Sequence, residues 1–404
     1  MRPFRRGFGY WTMQWRGRLF WNRQELCSLG ELPLFNSRRG STCKRTILIL
    51  SHCFLIRKPS SSRMILGVRN PAPGWSRQLL LPFQPMVAVG IFLFFLTASL
   101  IVFRFCSAER LHPFPREGYA GALLLVVAEI LMLARVEPVT TYFTPIAWTG
   151  YIFLVDSAAF SLRGKSLWRT ARTEFVCLAL CSIPLWLIFE AYNLRLANWA
   201  YVGLPESRLA RDFGYAWSFA TIWPAIFETA TLIRALRCNP GSEDSGQTSA
   251  APGSRSASFI VLLGAFLLIV PLLVPPGIGS YLFGPVWLGF IFLLEPINHR
   301  LGSQSLWRDF QRGDYSRLTS LLAAGWVCGI LWEFWNYWAQ ARWVYTFPIL
   351  QEWKIFAMPL PGYLGFPAFA VECFVLFSFL TLMLNAIFRK LGKGSRPHGE
   401  ALRL

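Results

Sequence analysis

Nine stretches of this chain stay apolar over the length a helix needs to cross a bilayer: 86–104, 117–135, 142–160, 174–193, 214–235, 257–276, 281–297, 318–340 and 365–388. A hydrocarbon core takes roughly 20 such residues as a helix. Lipid supplies no hydrogen bonds, so a spanning segment must satisfy its own backbone. The runs also lack the short alternation of a membrane β-barrel. Only 15% of the residues are charged, against about a quarter in soluble domains. The chain therefore reads as an all-α integral membrane protein with about nine transmembrane helices.

The net charge of +19 is unevenly placed. Residues 1–85 hold 15 of the 40 Lys and Arg and two acids, Glu25 and Glu31. That concentration explains most of the charge and removes the case for a nucleic-acid partner. The membrane itself supplies a second constraint, because short loops rich in Lys and Arg stay on the inner side. Loops holding Arg135, Arg195, Arg208, Arg211, Arg342 and Lys354 are the sparse set. The opposite loops and the basic tail 389–404 hold the rest. The expected arrangement is a bacterial cytoplasmic (inner) membrane protein with a cytoplasmic C-terminus. The basic segment 1–85 then falls on the wrong side, so either a cytoplasmic basic arm forces an unusual topology or the true start lies downstream, at Met64 or Met86.

An internal repeat is visible. WTGYIFLVD at 148–156 matches WLGFIFLLE at 287–295, and SLWR recurs at 166–169 and 305–308. FEAYN at 189–193 matches WEFWN at 332–336. WAY at 199–201 matches WVY at 343–345, and Glu228 matches Glu372. The expected organisation is an internal duplication of a four-helix unit: repeat A at 117–235, a polar linker at 236–256, and repeat B at 257–388. An extra helix with its loop occupies 86–116. An even number of spans gives both units the same orientation, related by an axis along the membrane normal.

The repeat retains three acidic positions, Asp156/Glu295, Glu190/Glu333 and Glu228/Glu372, and one amide, Asn193/Asn336. Residues three apart share a helix face, so each Glu pairs with its Asn. A carboxylate inside a span is costly and faces a protein interior or a wet cavity. Asp156 and Glu295 read as polar helix ends bonded to Arg163 or Arg300 and the Ser-Leu-Trp-Arg loop. The others divide between interhelical glue and a functional site. The candidate catalytic residues are Glu190, Glu333, Glu228 and Glu372. Candidate binding residues are Asn193, Asn336, Trp332, Trp335, Tyr201 and Tyr345. The Trp-rich stripe reads first as an interfacial belt, with a ligand-facing aromatic lining as the alternative. A carboxyl in an apolar pocket favours its protonated form and can serve as a general acid. A Glu/Asn cage can instead hold a proton or a hard cation.

The nine cysteines and four histidines are scattered, so no metal site is expected, and no motif calls for a cofactor. Pro367 to Glu372 with Phe374, and Pro224 to Glu228, resemble the Pro-x-Glu-Glu motif of the small bacterial lycopene cyclases. The spacing here is longer and the acid single. The overall pattern resembles a bacterial multi-pass membrane family of unassigned activity. The cyclase resemblance implies acid-initiated chemistry on a polyene, with Glu228 or Glu372 as proton donor. The expected partners are membrane lipid and a lipophilic small molecule, or a proton or cation. The functions left open are an acid catalyst on an isoprenoid- or lipid-like substrate, a proton- or cation-coupled transporter, and a non-catalytic membrane scaffold.

Overall fold

The computed structural model describes residues 85–237 and 254–391. The basic segment with Met64, most of the 236–256 linker, and the tail after Leu391 lie outside the described residues. The first half runs α1 (Pro85–Ser107), α2 (Arg116–Leu133), α3 (Phe143–Arg163), the single turn α4 (Leu167–Thr170), α5 (Arg172–Leu196), β1 (Trp199–Val202) and α6 (Arg208–Arg237). The second half runs α7 (Ser254–Leu273), the turn α8 (Pro276–Gly279), α9 (Phe283–Arg300), α10 (Leu306–Gln311), α11 (Ser316–Trp338) and β2 (Arg342–Tyr345). It ends with β3 (Lys354–Ile355), β4 (Met358–Pro359), a 3₁₀ turn (Leu360–Leu364) and α12 (Gly365–Lys390).

Among the described residues, six segments are long and apolar enough to cross a membrane: α1, α3, α5, α7, α11, and α12 with its preceding 3₁₀ turn. Helices α2, α6 and α9 fall outside that set. The reason is local polarity. Helix α2 has only 18 residues and includes Arg116, Glu117 and Glu129. Helix α6 carries arginines at both ends around Glu228. The last turns of α9 hold Glu295, Asn298, His299 and Arg300.

Burial separates the helices into two groups. Helices α3, α6, α11 and α12 form the centre, where Phe143, Ala147, Ala159, Trp223, Phe227, Leu321, Ala324 and Phe374 are inaccessible. Helices α1 and α7 turn large apolar side chains outward, among them Phe92, Phe95, Phe103, Phe259, Leu262 and Phe266. A surface this apolar suits hydrocarbon better than water. Two close crossings depend on glycine. A Cβ at Gly121 would lie 2.5 Å from the carbonyl oxygen of Gly150, where α2 meets α3. One at Gly264 would lie 2.8 Å from that of Gly289, where α7 meets α9. Small residues let membrane helices approach at this range.

The all-helical expectation needs correction. β1 pairs with β2 in an antiparallel ladder: Trp199 opposite Tyr345, Ala200 opposite Val344, Tyr201 opposite Trp343, and Val202 opposite Arg342. β3 and β4 form a second, two-residue ladder. Aromatic and β-branched residues favour strands, but four residues are too few to show an alternating period. The first ladder joins the two halves of the molecule across more than 140 positions of sequence, which no local pattern discloses.

Candidate functional site: an aromatic cavity with clasped walls

Each half docks its strand on the preceding helix in the same way. Asn193, near the end of α5, donates from Nδ2 to the carbonyl oxygen of Trp199 at 2.9 Å. Its Oδ1 accepts from the backbone N–H groups of Asn198 at 2.8 Å and Trp199 at 3.1 Å. Asn336, near the end of α11, donates to the carbonyl oxygen of Trp343 at 2.9 Å and accepts from the Trp343 N–H at 3.0 Å. A side-chain amide presents one donor and one acceptor side by side. It can therefore replace the missing ladder partner of a strand that leaves a helix end.

The glutamate one turn earlier holds the aromatics of that strand. Oε1 of Glu190 accepts from the indole N–H of Trp186 at 2.8 Å, the indole N–H of Trp199 at 3.2 Å and the phenol of Tyr201 at 2.6 Å. Oε1 of Glu333 accepts from the Tyr345 phenol at 2.6 Å, and the Trp343 indole donates to that phenol oxygen at 2.8 Å. Burial and the adjacent carboxylate push both phenols, Tyr201 and Tyr345, well above the usual tyrosine range. Both hydroxyls therefore remain protonated at neutral pH.

The strands wall a cavity of 310 Å³. Its lining draws on α3, α5, α6, α9, α11 and α12, with Trp148, Trp186, Tyr215, Trp332 and Phe369 contributing ring faces. Among the sequence candidates, Trp332, Tyr201 and Tyr345 line it. Glu190 and Glu333 stand behind that wall and reach the cavity through the tyrosines. Asn193 and Asn336 hold the strands. Trp335 points elsewhere and donates to Glu129 on α2 at 2.9 Å, within a ring cluster of Trp148 and Tyr151. Glu228 and Glu372 are fully buried and do not line the cavity, and the carboxyl oxygens of Glu372 have no hydrogen-bond partner among the described residues. The carboxyl of Glu228 faces that of Asp156. Of the three tryptophans of the WEFWNYW stretch, Trp332 lines the cavity, Trp335 is buried against α2 and α3, and Trp338 packs on Phe334 and Tyr337.

Asp156 and Glu295 serve the Ser-Leu-Trp-Arg turns. Asp156 accepts from Ser166 Oγ at 3.0 Å and the Trp168 N–H at 2.8 Å. Glu295 accepts from Ser305 Oγ at 2.6 Å and the Trp307 N–H at 2.9 Å. Arg163, expected beside Asp156, instead donates to the carbonyl oxygen of Arg234 at 2.7 Å. Among the described residues, no group of three or more His, Cys, Asp or Glu is placed to hold a metal ion.

Sequence reasoning missed several lining residues. Arg211 and Arg342 entered it only as loop charges, and Gly284 not at all. All three line the cavity, and only the placement of α6, β2 and α9 around one space reveals it. The chain matches no family model, and no curated protein or solved structure is similar to it.

Proposed function

We propose that the chain is a duplicated, nine-span protein of the bacterial cytoplasmic membrane that binds a lipophilic, isoprenoid- or lipid-like molecule in the aromatic cavity. The observation that carries this reading is the lining itself, built by both halves and dominated by aromatic and aliphatic side chains. Ligand sites are typically apolar clefts with a few placed polar groups. The duplication is supported by the ladder register. Ala200 pairs with Val344, its own repeat counterpart, as a twofold axis through that point requires. It is supported again by matched neighbours: α2 on α3 and α7 on α9, α3 on α6 and α9 on α12, α5 on α6 and α11 on α12. Helices α2, α6 and α9 complete nine spans by lying against the six apolar ones.

Among the described residues, the cavity lining holds no carboxyl group. That favours ligand binding, with Tyr201 and Tyr345 as the proton-bearing groups at the wall, over direct protonation by a glutamate. A proton-coupled transporter is the second reading. It rests on the buried carboxyls of Glu228 and Glu372, because ionisable residues at depth commonly mark proton pathways.

Mass spectrometry of small molecules that co-purify with the protein tests the first reading. The comparison is wild type against Gly284→Phe, where an added Cβ meets nothing within 4 Å and the ring fills the cavity. A specific apolar ligand, present in wild type and lost in the folded variant, is the expected result. Bulk phospholipid alone in both would sink the reading. Proton uptake by proteoliposomes, abolished by Glu228→Gln, would favour the second.

A further inference from the structure

Resting on the reading of the cavity as a lipophilic site, we infer that its ligand is an anionic amphiphile: an apolar chain carrying a phosphate or carboxylate head. Among the described residues, the lining contains two cationic side chains, Arg211 and Arg342, and no Asp, Glu or Lys. Both arginines are half-buried. A neutral polyene would give Arg211 no counter-charge, and the Glu190 and Glu333 carboxyls are kept from the ligand by the phenols of Tyr201 and Tyr345. Guanidinium groups match carboxylate and phosphate geometry through paired N–H donors.

Both cations sit at one end of the cavity. Arg342 opens β2 opposite Val202, the last residue of β1. Arg211 lies in the first turn of α6, the helix that follows β1. The carbonyl oxygen of Tyr337 takes one N–H group of Arg342 at 2.9 Å. Among the described residues, no carboxylate forms an ion pair with Arg211. Asn198, Ser280 and Tyr142 add polar groups to the lining.

The other end is apolar. The lining follows one face of α6 through Gly214, Tyr215, Ser218, Phe219 and Ile222 to Ile226. Fifteen residues of helix separate Arg211 from Ile226, about 22 Å at the α-helical rise. Facing Ile226 from the second half are Gly325 and Cys328 of α11. Charge at the strand end and an apolar well below it form an amphiphile's shape, not that of a free anion or a neutral hydrocarbon. The cationic end also lies with the loops that connect spans, where a charged head avoids the hydrocarbon.

The test measures binding of three probes to the full chain in nanodiscs: dodecyl phosphate, dodecanol and inorganic phosphate. Dodecyl phosphate is expected to bind at least tenfold more tightly than dodecanol, with inorganic phosphate negligible. Arg211→Gln and the Arg211→Gln/Arg342→Gln pair are expected to remove that preference while dodecanol binding stays unchanged. Arg211→Lys should restore part of it. Unchanged dodecanol binding also shows that the variants are folded. Equal binding of the two chains to wild type would overturn the anionic class and leave the lipophilic cavity standing. Inorganic phosphate binding as tightly as dodecyl phosphate would make it a free-phosphate site and overturn the amphiphile. Failure of both chains to bind wild type would remove the cavity reading and this inference together.

Discussion

Glu190 and Glu333 occupy matched positions, yet their surroundings differ. Glu190 is half-buried and gathers three donors on one oxygen. Glu333 is fully buried and takes one aromatic donor, the Tyr345 phenol, on Oε1, with the backbone N–H groups of Ala357 and Met358 beside its carboxyl. The difference starts one helical turn earlier. Trp186 stands there in the first half and donates to Glu190; the matching residue in the second half is Gly329. That glycine is where Phe366 packs, with its Cβ 2.8 Å from the position a Gly329 Cβ would take. Where the first half has an indole donor, the second half has a ring from its own next segment. The matched residues Ala191 and Phe334 show a similar divergence. Ala191 is exposed, whereas the Phe334 ring stacks on Phe94 of α1 at 3.8 Å. The added helix α1 thus covers the second half and has no counterpart on the first.

The largest expected effect is at the tyrosines. Tyr345→Phe removes the phenol donor from buried Glu333 and strands the Trp343 indole, at a cost of about 3 kcal/mol, because buried unsatisfied groups forfeit their desolvation energy. Tyr201→Phe leaves Glu190 two indole donors and should cost about 1 kcal/mol. Denaturation in mixed micelles reads both, and equal losses would show that donor count does not set the asymmetry.

Asn336→Ala and Asn193→Ala should each cost about 2 kcal/mol, since each frees backbone groups of a docked strand. Here the two halves are expected to agree. A neutral result at either would separate that strand from its helix. Gly329→Ala drives a methyl into Phe366 and should cost roughly 1.5 kcal/mol through overpacking. Stability unchanged in that variant would mean Phe366 moves freely, and that contrast between the halves would lose its basis. The smallest effect is at Ala191→Phe, on an exposed face, where the change should stay within about 0.5 kcal/mol. A clear gain would indicate that a neighbour covers the first half as α1 covers the second.

Much of the framework is legible in sequence for a simple reason: lipid imposes length and apolarity on a helix, and both are local properties. The positions of α1, α3, α5, α7, α11 and α12 follow from that. The Glu-x-x-Asn spacing correctly places both side chains on one face, because helical periodicity is also local. Their job was not legible. Asn193 bonds to Trp199 and Asn336 to Trp343 only because a strand returns over the helix end, and four aromatic residues give no period to read.

What the sequence alone determined, then, is a membrane chain with recurring motifs and costly carboxylates that must be sheltered. The tertiary structure decided which groups meet. It placed Glu190 and Glu333 behind tyrosines instead of in the cavity. It also brought Arg211 and Arg342, 131 positions apart, to the lining of one cavity. Pairing β1 with β2 is a long-range event whose hydrogen bonds carry no residue-specific signature, so only the folded chain reveals the site they enclose.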